Sequence, residues 1–171
     1  MIKIMLIWIT GLAGAGKTTI ATALYERLKQ KYNNWVLLDG DCFREVMGQD
    51  VGYDLNSRKI MAKRMSRLCK YLTDQGIHVI CATISMHKEV HEFNRKAIKD
   101  YYEVLVDVSM ENLIKRDKKE LYSRVLKNEI YDVVGMDIPF DKPEHPSLVI
   151  DNNVMDNLDI KVQKILDIVK L

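Results

Sequence analysis

Short apolar runs alternate along the chain with longer segments whose apolar residues recur every three or four positions. The apolar runs predict five strands, at Lys3–Ile9, Trp35–Leu38, Ile77–Ala82, Tyr102–Val108 and Ser147–Ile150. The segments with helical spacing predict five helices, at Thr18–Tyr32, Leu55–Asp74, Lys88–Asp100, Met110–Asp117 and Val154–Lys170. Strands that alternate with helices are typical of a parallel sheet covered by helices on both faces. We therefore expect a three-layer α/β/α fold with a five-stranded parallel sheet.

The turn after the first predicted strand matches the pattern G-x-x-x-x-G-K-[ST] of phosphate-binding loops. Its residues are Gly11, Leu12, Ala13, Gly14, Ala15, Gly16, Lys17 and Thr18, followed by Thr19. In such a loop the backbone N–H groups and the following helix N-terminus surround phosphate oxygens. The lysine reaches the β- and γ-phosphates, and the hydroxyl binds Mg²⁺. The sequence therefore predicts a P-loop NTPase-type fold that binds a nucleoside triphosphate with Mg²⁺.

The composition is that of one soluble globular domain. The 171 residues are 47% hydrophobic and 29% charged, with a formal net charge of +2. This charge is too small to favour nucleic acid or an anionic membrane as a partner, and no apolar run approaches the roughly 20 residues of a membrane span. The three cysteines are widely spaced, which favours reduced thiols. We expect a single cytoplasmic domain over residues 1–171.

The segment from Lys118 to Pro146 differs from the rest of the chain. It holds all three prolines, a string of charges and only a short apolar run at Val133–Val134. Long irregular segments in compact domains are usually functional or disordered. We interpret this segment, approximately 118–146, as a mobile lid over the nucleotide rather than a disordered surface loop.

Charged residues follow the second predicted strand, where ligands bind in parallel sheets. Asp39 and Asp41, with Arg44 after them, are candidates to contact Mg²⁺ and an acceptor during phosphoryl transfer. An Asx turn that caps the next helix has the same D-G-D pattern. Farther along, Arg58 and Arg64 lie near the start of a predicted helix and are candidates to face an anionic acceptor.

Together these motifs resemble the adenylylsulfate kinase family over nearly the whole chain. The more specific segments are D-G-D-x-x-R at residues 39–44 and R-D-x-K-x-L-Y at residues 116–122. The resemblance implies an ATP-dependent kinase that transfers the γ-phosphate to a nucleotide 3′-hydroxyl, with Mg²⁺ and, in many members, a homodimer. It implies that Asp39 acts as general base or metal-linked carboxylate and that Arg116 lies against the adenine of ATP. It implies an acceptor site formed by Asp41, Arg44, Tyr53, Arg58, Arg64, Ile84, Ser85, Lys119 and Val133.

The departures from the family pattern lie on the acceptor side. Val133 stands where the family has a phenylalanine whose ring sandwiches the acceptor's adenine against the aromatic at Tyr53. Losing one aromatic platform removes ~1–3 kcal/mol of stacking per base. The chain thus looks most like the family branch that phosphorylates cytidine diphosphoramidate for capsular polysaccharide biosynthesis. An adenylylsulfate kinase of sulfate assimilation is the alternative.

Two other classes keep a phosphate loop. A regulatory GTPase needs a guanine-reading N-K-x-D, which is absent, although Asp132–Gly135 fits D-x-x-G. A nucleotide-binding module without catalysis has no use for Asp39, Asp41 and Arg44 beside an acceptor. Transfer and hydrolysis assays with ATP and GTP separate these classes.

Overall fold

The computed structural model describes residues 3–48, 51–117 and 120–170. Its strands are β1 (Met5–Thr10), β2 (Trp35–Asp39), β3 (His78–Thr83), β4 (Asp100–Asp107) and β5 (Leu148–Asp151). Its helices are α1 (Lys17–Lys29), α2 (Gly40–Met47), α3 (Leu55–Asp74), α4 (Lys88–Ala97), α5 (Met110–Arg116), α6 (Leu121–Leu126) and α7 (Leu158–Val169). The five strands form one parallel sheet in the order β2-β3-β1-β4-β5, which confirms the predicted fold class.

Alternating side chains along the strands belong to two different apolar clusters. In β1, Met5, Ile7 and Ile9 belong to one cluster, whereas Leu6 and Trp8 belong to the other. Successive side chains of a strand point to opposite faces, so the clusters lie on opposite sides of the sheet. Every residue of β1 and β3 is buried because each strand is paired on both edges and covered on both faces.

Helices cover each face through apolar stripes of helical spacing. The first cluster includes buried residues of α1 and α7, and the second includes Met61 and Met65 of α3. Leu68 and Leu72, at helical spacing from these methionines, pack against that second cluster. No helix among the described residues combines the length and the apolar content needed to cross a bilayer.

Two helices are missing from the prediction. The short α2 begins directly after Asp39, whose carboxylate accepts a hydrogen bond from the Asp41 N–H at 3.0 Å. The Asx-turn reading of this segment is therefore confirmed. The prediction that the lid is irregular is wrong at Leu121–Leu126, which form α6, with Tyr122 buried in the core.

Candidate nucleotide and acceptor site

The predicted phosphate loop joins β1 to α1, and two of its carbonyl groups accept hydrogen bonds from residues outside the loop. Gly14 and Gly16 have φ values of +76° and +99°, a left-handed region that favours glycine. Tyr122 Oη donates to the Ala13 carbonyl at 2.7 Å, and Asn152 Nδ2 donates to the Ala15 carbonyl at 2.6 Å. The positive φ values and these two external hydrogen bonds are compatible with the curled backbone of a phosphate-binding loop.

Lys17 is the first residue of α1, and its ammonium group folds back onto the loop. Its Nζ donates to the Leu12 carbonyl at 2.8 Å. Burial lowers the pKa of Lys17 to about 8, and the nearby carboxylates of Asp41 and Asp39 oppose that shift. A cation in this position is available to neutralise phosphate oxygens.

The two residues predicted to hold Mg²⁺ are in contact. Thr18 Oγ1 donates to Asp39 Oδ2 at 2.8 Å, so the start of α1 touches the end of β2. A hydroxyl and a carboxylate oxygen are hard ligands that fit Mg²⁺, which is usually held by one or two protein groups together with substrate phosphates. Within the described ranges no three His, Cys, Asp or Glu side chains cluster to hold a metal. The assignment of Thr18 and Asp39 to Mg²⁺ stays a prediction.

The predicted acceptor residues Arg44, Tyr53 and Arg58 form one stack. The Arg44 guanidinium carbon lies 4.4 Å from the Tyr53 ring centroid, and that of Arg58 lies 5.5 Å from it. Arg44 Nη1 also donates to the Gly52 carbonyl at 3.1 Å, and Arg58 Nη2 donates to the Asp132 carbonyl at 2.6 Å. The α2–α3 connection and the lid therefore meet at this stack, which presents two cations and an exposed aromatic ring.

The β3–α4 loop is held by neighbouring hydroxyl groups. Thr10 Oγ1 donates to the Ile84 carbonyl at 2.8 Å, and the hydroxyls of Thr83 and Ser85 lie 2.8 Å apart. His91 Nε2 lies 3.2 Å from the Ser85 carbonyl oxygen rather than from its hydroxyl. These contacts fix the Ile84 and Ser85 carbonyls within the protein, and the role of this loop in acceptor binding stays a prediction.

The remaining predicted residues lie in different surroundings. Arg116 Nη2 donates to the Asn153 carbonyl at 2.9 Å, beyond β5. Val133 is only 4% exposed and packs in the first apolar cluster, so it presents little surface to a ligand in this structure. Arg64 is partly buried on α3, Thr19 is exposed on α1, and Lys119 lies outside the described residues. Their roles stay predictions.

Besides its buried helix, the lid segment approaches the phosphate loop at Gly135 and the end of β4 at Lys142. A Cβ built on Gly135 would come within 3.1 Å of the Leu12 side chain. Lys142 Nζ forms an ion pair with Asp107 Oδ2 at 3.0 Å, at the end of β4. A cavity of about 340 Å³ lies between these elements, lined in part by Leu12, Asp107, Lys142 and Phe140. The segment therefore lies next to the phosphate loop; its role as a lid and its mobility stay predictions.

Three residues that support the loop were not predicted as site residues. Tyr122 and Asn152 bond its carbonyls, and Lys161 bonds Asn152. Asn152 follows β5 at the same sheet edge as the loop, and a polar residue directly after a predicted strand is the sequence signal that could have identified it. Lys161 stands at helical spacing from Leu158 and Ile165, where an apolar residue is expected, and this interruption is the signal for it.

Comparison with known proteins gives consistent matches. The family model described as adenylylsulphate kinase matches residues 3–151. The cytidine diphosphoramidate kinase of Campylobacter jejuni is 51% identical over 161 residues, which cover 94% of each chain. The adenylyl-sulfate kinase of Clostridium kluyveri is 38% identical over 95% of this chain and 82% of its own. The Mycobacterium tuberculosis APS kinase CysC, solved with AMPPNP and APS, superposes with a TM-score of 0.88 at 28% identity, covering 99% of each chain.

Proposed function

The chain belongs to the adenylylsulphate kinase family of ATP-using phosphotransferases, and we propose that it phosphorylates the ribose 3′-hydroxyl of cytidine diphosphoramidate. The observation that carries the proposal is the contact between Thr18 of the phosphate loop and Asp39 at the end of β2. This contact supports the proposal because it joins the phosphate loop to a carboxylate that also begins α2, the helix that carries Arg44. The 51% identity with the Campylobacter jejuni kinase supports the choice of acceptor.

The proposed reaction divides its tasks among residues of this chain. The acceptor's 3′-oxygen bonds to the γ-phosphorus of ATP while the bond from the γ-phosphorus to the β–γ bridging oxygen breaks, and ADP leaves with those electrons. Asp39 takes the hydroxyl proton, and Lys17 neutralises charge on the β- and γ-phosphates. Thr18 and Asp39 are the oxygen donors that would hold Mg²⁺, which supplies further charge neutralisation on the phosphates when bound.

The acceptor's charge and base are complementary to the stack of Arg44, Tyr53 and Arg58. The guanidinium groups of Arg44 and Arg58 supply cations for a diphosphoramidate, and the Tyr53 ring supplies a face for stacking. The aliphatic Val133, in place of the family's phenylalanine, removes the second stacking surface that a purine uses. This loss favours a smaller pyrimidine. We place the product in the biosynthesis of capsular polysaccharide phosphoramidate.

Adenylyl sulfate is the second candidate acceptor, since several relatives at 34–38% identity are adenylyl-sulfate kinases. It shares with cytidine diphosphoramidate a ribose 3′-hydroxyl and a 5′ mixed anhydride. The two candidates therefore differ mainly in the base and in the terminal group of the anhydride.

A direct comparison of acceptors tests the proposal. The purified protein is given Mg·ATP with cytidine diphosphoramidate or with adenylyl sulfate, and ADP release and the 3′-phosphorylated product are both quantified. We expect kcat/KM for cytidine diphosphoramidate to be higher by about tenfold or more, because stacking of ~1–3 kcal/mol is at stake. A preference for adenylyl sulfate would establish the second candidate. ATP hydrolysis without transfer to either nucleotide would overturn the kinase assignment.

A further inference from the structure

Lys161 is a lysine in the interior of the domain. It lies on α7 and is only 8% exposed, with Val162 and Ile165 of the first apolar cluster on the same helix. Burying an ammonium group is costly unless each of its protons has an acceptor. Lys161 Nζ lies 2.7 Å from Asn152 Oδ1, 2.7 Å from the Val154 carbonyl oxygen and 3.5 Å from Asp156 Oδ1. Its donors are therefore directed at the loop that follows β5.

The contact with Lys161 fixes which way the Asn152 amide faces. A lysine ammonium group only donates hydrogen bonds, so the oxygen of the amide must face it. The amide nitrogen then faces the opposite way and donates to the Ala15 carbonyl at 2.6 Å. Asn152 is 5% exposed, so water does not compete freely for these bonds. The ammonium group thus selects the orientation that bonds the phosphate loop.

The Asn152 side chain also lies against the backbone of the loop just before Lys17. A Cβ added to Gly16 would come within 2.5 Å of Asn152 Nδ2, and Gly16 has a φ of +99°. The same connection receives Arg116, whose Nη2 donates to the Asn152 and Asn153 carbonyls. The residues after β5 therefore link α7 and α5 to the last turn of the phosphate loop.

From this geometry we propose that Lys161 is a positioning residue for ATP, acting through the Asn152 amide on the Ala15 carbonyl of the phosphate loop. Its ammonium group is directed at protein acceptors, so we assign it no direct contact with the nucleotide. Instead it keeps the loop in the form that binds phosphates. This inference rests on the part of the proposed function that places ATP at the loop, and it is independent of which acceptor is used.

Calorimetric titration with Mg·AMPPNP, without acceptor, tests the relay in the full chain. Lys161→Met keeps the length of the side chain and removes its donors, and Asn152→Leu keeps the volume of the amide and removes its hydrogen bonds. We expect each single substitution to raise the dissociation constant about five- to tenfold, the effect of one lost buried hydrogen bond. Lys164→Met, at an exposed lysine of the same helix, is the control for losing one positive charge and should bind like the wild type.

The double variant distinguishes a relay from two separate structural effects. If Lys161 acts through Asn152, adding Lys161→Met to Asn152→Leu raises the dissociation constant no further. Multiplying effects would overturn the proposal, as would a Lys161→Met variant that melts at a lower temperature but binds AMPPNP normally. A wild-type protein that does not bind AMPPNP would instead overturn the proposed function, and the inference with it.

Discussion

The carboxylate of Asp39 has two separable tasks, and a pair of substitutions tests them independently. One oxygen caps α2 by accepting from the Asp41 N–H at 3.0 Å, and the other accepts from Thr18 Oγ1 at 2.8 Å. Asp39→Asn keeps an oxygen for the cap but removes the charge and the basicity. Asp39→Ala removes both. Both variants therefore lose the charge and basicity of the carboxylate, but only Asp39→Ala also loses the cap of α2.

The expected magnitudes follow from these contacts. Asparagine and aspartate are similar helix caps, whereas replacing either by alanine costs about 1 kcal/mol, or about 2–4 °C in Tm for a domain of this size. Loss of the general base lowers kcat by about 10²–10⁴ in both variants. Loss of one oxygen donor for Mg²⁺ also raises the KM for Mg·ATP in both, but by a smaller factor than the fall in kcat, because Lys17, Thr18 and the loop stay intact. Thermal unfolding and steady-state kinetics with saturating acceptor measure both effects. An Asp39→Asn variant with nearly normal kcat would refute the catalytic role, and one that lost only ATP affinity would assign Asp39 to the donor side.

Two further predictions concern the donor lysine and the acceptor base. The charged form of Lys17 binds phosphate, and burial lowers its pKa to about 8, so ATP affinity should weaken as the pH rises above 8. Titration calorimetry should also show that Lys17→Met binds ATP weakly at every pH. A wild-type affinity that is independent of pH from 7 to 10 would contradict this. Val133→Phe should raise kcat/KM for adenylyl sulfate relative to cytidine diphosphoramidate, because the ring restores a second stacking surface. The larger side chain should lower the free energy of unfolding by about 1–3 kcal/mol, because Val133 is buried. An unchanged ratio of the two kcat/KM values in a folded variant would refute the stacking explanation.

The sheet could be predicted from the sequence because its strands are short apolar runs bounded by polar turns. All five predicted strands are present, with ends that differ by at most two residues among the described positions. The bounds of α3 match the prediction because a long apolar stripe, including Met61 and Met65, fixes its helical period. The phosphate loop predicts that the first strand leads into a helix at the sheet's carboxyl edge, whereas the strand order β2-β3-β1-β4-β5 depends on long-range pairing that the local pattern does not contain.

The short helices could not be predicted in the same way. The helices α2 and α6 are only 8 and 6 residues long, and each buries a single residue, Phe43 and Tyr122, so neither has an apolar repeat long enough to predict a helix from sequence. Asp39 and Glu120 precede these helices, but only Asp39 provides a side-chain cap. Structure in these segments depends on contacts with distant elements, which a local pattern does not contain.

The difference between local patterns and contacts with distant elements also explains why the loop motif predicts the inner side of the phosphate loop but not its outer side. The glycines and Lys17 prepare the inner side of the loop for phosphate, and these residues are adjacent in sequence. The outer side presents carbonyl groups that must also be bonded, and their donors are Tyr122, 109 residues after Ala13, and Asn152, 137 residues after Ala15. Each donor comes from an element that has its own reason to be close: α6 belongs to the lid, and Asn152 follows the edge strand β5. Substitutions at Tyr122 or Lys161 should therefore weaken nucleotide binding although both residues are far from the motif in sequence, because they remove hydrogen bonds that support the loop's carbonyl groups.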